Sequence, residues 1–164
     1  MNDATSLIMA QWKAYREKAF HENKVFLKRL ARSLPPIGTL RQVHDSVFEQ
    51  FDCLACAQCC TSSSPVFTRT DIQRIASHLG VKPGMLEQQH LEADSEGDWI
   101  PKSRPCPFLQ SDNRCKVYEV RPKSCRGYPH TDEKEGWERH DLLARNTRAC
   151  PAAFQMVEKL KSKK

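Results

Sequence analysis

Four thiols fall within eight residues in Cys53-Leu-Ala-Cys56-Ala-Gln-Cys59-Cys60, and four more follow at Cys106, Cys115, Cys125 and Cys150. Two residues between thiols let a tight turn aim both sulfurs at one ion, which is why this spacing recurs in zinc and iron–sulfur sites. Cys53, Cys56 and Cys59 keep that phase for two steps, as at the start of a C-x2-C-x2-C-x3-C-P iron–sulfur run, but Cys60 follows immediately. Adjacent residues have Cα atoms about 3.8 Å apart and side chains that diverge. Cys59 and Cys60 therefore suit two neighbouring metals, or two corners of one multinuclear cluster, better than a single ion.

The later cysteines sit in stiff backbone. Proline follows Cys106 and Cys150, and Pro122 and Pro129 flank Cys125, restricting the chain and removing N–H donors. All eight cysteines are candidate metal ligands, and their even number divides into two closed four-thiolate sites. His130, just past Tyr128-Pro129, is the one histidine placed to be tested as a further ligand. The Cys-Pro pairs and the in-phase triple tilt the cofactor toward an iron–sulfur cluster over zinc. There is no G-x-G-x-x-G, P-loop or H-E-x-x-H, so nucleotide and zinc-protease sites have no local support.

Composition sets the compartment. With 39% hydrophobic and 28% charged residues the chain reads as a soluble globular protein. No stretch approaches the roughly 20 apolar residues of a membrane span. Met1 to Ala10 contains Asp3 and only a short apolar run, which does not read as a secretory signal. A cytoplasmic protein is expected, and there thiols stay reduced and serve metals or redox chemistry rather than disulfides. The formal charge is +6. Eight thiolates (−8) and two dications (+4) bring it to +2. Arg104, Arg114, Lys116, Arg121, Lys123 and Arg126 then offset thiolate charge, and the case for a nucleic-acid partner is weak.

The elements that must position these thiols are mainly helical. Thr5 to Arg32 carries a loose three-to-four apolar repeat, predicting one amphipathic helix or two with a break near Asn23. Ser33-Leu-Pro-Pro-Ile-Gly38 ends it. A second helix is expected from about Leu40 to Phe51, with Thr39 as N-cap. Thr68-Arg-Thr-Asp71 has capping-box form and opens a helix that stops at Gly80. Another short helix is expected over Pro83 to Leu91. Asp98 to Pro101 reads as extended. Ser111 to Arg114 reads as a turn joining two short strands, and Ala152 to Lys161 as a terminal helix before a lysine tail. The fold expected is mainly α with a small irregular β element (α+β as the alternative) around a cysteine-lined metal core. Residues 1–36 are expected to form a helical N-terminal arm, and 37–164 the cysteine-cluster domain.

C-x2-C-x2-C-C, followed by Cys106-Pro-Phe-Leu, Cys115-Lys-Val-Tyr-Glu-Val-Arg-Pro and Cys125-Arg-Gly-Tyr-Pro, resembles the CxxCxxCC family of zinc- or iron-chelating proteins. Asp71-Ile and the helix through Gly80 resemble the segment that follows the first cluster there. The likeness runs from about Cys53 to Cys150, with Ala57 standing where the family commonly has Gly. A related cluster occurs in flagellin lysine methylases, of which this chain matches only the cysteine part. The resemblance implies metal binding more firmly than any reaction. The reading preferred here is a structural or electron-transfer metal protein. The alternatives are a metal-dependent enzyme, or a component of a lysine-methylation-like system, and a module that recruits a protein partner through its N-terminal helix.

Overall fold

The computed structural model describes residues 3–162; Met1, Asn2 and the last two lysines of the tail lie outside the described residues. In chain order the helices are α1 (Asp3–Tyr15), α2 (Phe20–Ala31), α3 (Ile37–Phe48), α4 (Cys53–Cys56), α5 (Gln58–Ser62), α6 (Arg69–Leu79), α7 (Pro83–His90), α8 (Lys123–Arg126), α9 (Lys134–Glu138), α10 (His140–Ala149) and α11 (Pro151–Ser162). Two three-residue strands, β1 (Leu91–Ala93) and β2 (Trp99–Pro101), pair antiparallel with Glu92 opposite Ile100. The fold is mainly α with a small β element, as expected. The chain forms two compact units, residues 1–56 with 129–164, and residues 57–128.

In the first unit α2 packs on α10, and α11 lies against α1, α3 and α10. The apolar faces of these helices bury Trp12, Leu27, Leu40, Val43, Leu143 and Met156. Trp12 donates its indole N–H to the Thr147 carbonyl at 3.0 Å, so even this buried ring leaves no unmet donor. The N-terminal helix breaks at residues 16–19 and not near Asn23, which lies inside α2. Asn23 is buried and accepts from Lys161 of α11 at 2.9 Å, a tertiary partner that keeps this polar residue within the helix. The next helix starts at Ile37 behind Pro36, so Thr39 is inside its first turn and is not the N-cap. No helix among the described residues is long and apolar enough to cross a membrane.

The second unit is organised by α6. Thr68 and Asp71 form both halves of the capping box, and Gly80 ends the helix in the left-handed region at φ 68°. Ile72, Ile75 and Ala76 on its inner face meet Phe67, Leu86, Leu91, Phe108 and Val117, and Cys106 and Cys115 pack against this core. The turn after Cys106 closes through an isolated bridge between Leu109 and Cys115. The expected pair of strands is thus reduced to one bridge, because Pro105 and Pro107 limit the ladder.

Candidate metal centre

The cysteine motif occupies two short helices separated at Ala57, whose φ of 48° is left-handed. A non-glycine residue in that region carries a cost of about 1–2 kcal/mol, which explains why glycine would suit the position.

In the first unit Asp52 caps α4. Its Oδ1 accepts from the N–H groups of Leu54 and Ala55 at 2.9 and 3.2 Å. Its own N–H donates to Thr5 Oγ1 at 2.9 Å, tying the start of α4 to α1. Cys53 and Cys56 ride on this capped turn, and Cys56 Sγ lies 3.6 Å from Met9 Sδ. Cys150 sits where α10 gives way to α11, buried, with the Ala153 N–H reaching its Sγ at 3.4 Å. Burial pushes the Cys150 thiol up to about 12; N–H groups of Ala153 and Ala152 pull it down, and the charges of Cys53 and Cys56 push it further up. Cys53 and Cys56 are thus the thiols whose charge acts on Cys150. His130, also in this unit, adopts a left-handed backbone at φ 62°. Its carbonyl occupies the space a Cβ on Gly136 would need.

The second unit gathers a larger set. Cys106 donates its N–H to the Cys60 carbonyl at 2.8 Å, placing the post-proline turn beside α5. Lys116 bonds Phe108 at 2.8 Å and returns Cys115 to the same place. Cys125 lies on α8, which Ser124 anchors through a 2.8 Å hydrogen bond to the Val66 carbonyl. Burial raises Cys106 to about 11, with Cys60 and Cys115 adding to the rise and the N–H groups of Phe108 and Leu109 opposing it. Burial raises Cys125 to about 12, reinforced by Cys106, Cys60 and Cys115. Cys115 is raised by burial and by Cys60, against the Val117 N–H and Arg121. Cys60 is raised by its hydrogen bond to Cys59, by burial and by the Cys59 charge, with Arg121 acting the other way. Cys106, Cys115 and Cys125 each respond to Cys60. Cys59 stands beside that set, its Sγ 4.0 Å from that of Cys60.

Among the described residues no group of three or more His, Cys, Asp or Glu side chains is arranged to hold an ion as it stands. The donor chemistry nevertheless fits zinc or iron. All the atoms offered are sulfur, the soft donor both take. Backbone N–H groups already point at Cys106, Cys115 and Cys150, the outer contacts that support thiolates around a metal. Desolvation and neighbouring thiols favour the protonated form at Cys60, Cys106, Cys115, Cys125 and Cys150, and a cation among them reverses both penalties.

A family model described as "Putative zinc- or iron-chelating domain", CxxCxxCC, matches residues 52–151. The chain belongs to the CxxCxxCC family. The match spans the motif through Cys150, so all eight cysteines lie within it, and the chain carries a metal-chelating domain. An uncharacterized protein of Methanocaldococcus jannaschii, MJ0661, is 27% identical over 84 residues, covering 49% of this chain and 45% of that protein. The chain thus aligns with about half the length of this relative. No solved structure matches the chain.

Sequence reasoning named all eight cysteines as ligands and divided them evenly between two four-thiolate sites without assigning them, whereas the two units hold three and five. It read Asp71 as a capping residue and part of a family-like segment, and passed over Arg74. Their one-turn separation on a helix was the available signal.

Proposed function

We propose that the chain is a thiolate metal protein whose second unit holds one metal centre through Cys60, Cys106, Cys115 and Cys125. Cys53, Cys56 and Cys150 supply thiolates in the first unit. The observation that carries this reading is the 2.8 Å hydrogen bond from the Cys106 N–H to the Cys60 carbonyl, with the half-buried Cys106 and Cys115 packed on one core and Cys60 adding to the rise of Cys106, Cys115 and Cys125. The centre serves a structural or electron-transfer role. A metal there supplies a charge that holds the four thiolates together, and iron would add one-electron chemistry.

Iron–sulfur is preferred on the Cys106-Pro107 pair within this centre. Zinc is the second reading, favoured by four thiols within one unit, the complement of a closed tetrahedral site. Either centre belongs in a reducing compartment such as the cytoplasm. Purification without oxygen separates the two: a brown protein with iron and acid-labile sulfide supports the cluster, a colourless one with zinc supports the ion. A chain beginning at Ile37 tests the 1–36 boundary. It lacks the buried Trp12, Phe26 and Leu27 of the first unit and is expected to retain the metal of the second. Loss of that metal would reject the boundary.

A further inference from the structure

We propose that Arg74 and Asp71 of α6 are the positioning pair of the four-thiol group, a clamp that fixes the segment between Cys115 and Cys125 so that both thiols meet Cys60 and Cys106. The proposal rests on the reading that these four thiols hold one metal centre.

Asp71 does more than cap α6. Its Oδ2 accepts from the Thr68 N–H at 3.0 Å and the Thr68 hydroxyl at 2.7 Å, which completes the cap. Its Oδ1 is left over, and it accepts from Arg74 Nη2 at 2.5 Å and from the Lys123 N–H at 3.3 Å. Arg74 in turn donates Nε to the Val120 carbonyl at 3.3 Å and Nη2 to the Arg121 carbonyl at 3.0 Å. Three backbone groups within residues 120–123 thus end on two side chains of one helix turn. This stretch needs outside support, because Pro122 has no N–H to give. It also joins the turn after Cys115 directly to α8, which carries Cys125.

The Asp71 side chain is only 3% exposed and that of Arg74 30%. Burial pushes the Asp71 carboxyl up, but hydrogen bonds from Thr68 and Arg74 outweigh it and leave it below the usual carboxylate range. A buried ion pair contributes little net stability against an apolar replacement, whereas its planar fork fixes backbone geometry that a point charge would not. The clamped segment also carries the Arg121 guanidinium, which stacks on the Tyr118 ring at 3.7 Å.

The test uses the full-length metal-loaded protein with Arg74→Lys, Arg74→Gln and Cys125→Ser. Metal per chain, helix content by circular dichroism and the rate of metal transfer to a chelating dye are measured for each. Arg74→Lys keeps the charge beside Asp71 but lacks the fork. The expected result is wild-type helix content in both Arg74 variants. The metal that Cys125→Ser loses should be held up to roughly 10-fold more weakly in them and pass to the dye correspondingly faster, the low end of what loss of a ligand-orienting group costs in affinity, with the lysine variant the milder. Wild-type release rates in both overturn the clamp while leaving the centre in place. Loss of helix in Arg74→Lys also overturns it, because the pair would then be serving α6 alone. Full metal retention in Cys125→Ser removes the four-thiol reading, and the clamp with it.

Discussion

Metal loading at pH 9.5 should release protons that ordinary cysteines would already have lost. A thiol with the usual value near 8.5 is only about 9% protonated at that pH. Burial and neighbouring thiols place Cys106 at about 11 and Cys125 at about 12, so each is more than roughly 95% protonated there. An ion that takes both as thiolates therefore displaces close to two protons from this pair, against about 0.2 from an unperturbed pair. Cys60 and Cys115 are raised as well and add to the count. The assay is calorimetric titration of the reduced, metal-free chain with zinc in buffers of different ionisation enthalpy, whose slope gives protons released per ion. A slope below about 0.5 would refute the picture of thiols held neutral by burial and mutual charge. The sign also fixes stability. With folded-state values raised, the metal-free fold has its full stability below about pH 8.5 and loses it as pH rises toward 11–12.

Four substitutions test other parts of the account. Cys60→Ser should lose the metal of the second unit, whereas Cys59→Ser should keep it, as read by metal content per chain; equal retention in both removes Cys60 from the ligand set. Ala57→Gly should stabilise the protein by about 1 kcal/mol in denaturant titration, since it relieves a left-handed alanine at φ 48°, and a loss of stability would contradict that. Gly136→Ala should cost about 2 kcal/mol in the same assay, because the new Cβ meets the His130 carbonyl.

Features written in local chemistry were legible in the sequence. Thr68 and Asp71 signal a cap at three-residue spacing, and the helix they open runs to Gly80 as that grammar predicts. The cysteines are conspicuous by type. What eluded the sequence depends on partners far along the chain. Asn23 stays within a helix because Lys161 reaches it. The amphipathic α10 hides behind polar residues, its buried face formed by Leu143, Ala144, Asn146 and Thr147. The grouping of Cys60 with Cys106 is fixed by a backbone hydrogen bond across 46 positions, which no spacing rule encodes. The same holds for Arg74, whose acceptors at Val120 and Arg121 belong to a loop that only the folded unit brings near.

The most direct measurement is elemental analysis of anaerobically purified protein combined with X-ray absorption at the metal edge. The account predicts at least one zinc or iron per chain, with a first shell made of sulfur alone at about 2.3 Å, reduced in occupancy by Cys125→Ser. Metal-free protein, or a first shell dominated by nitrogen and oxygen, would contradict it.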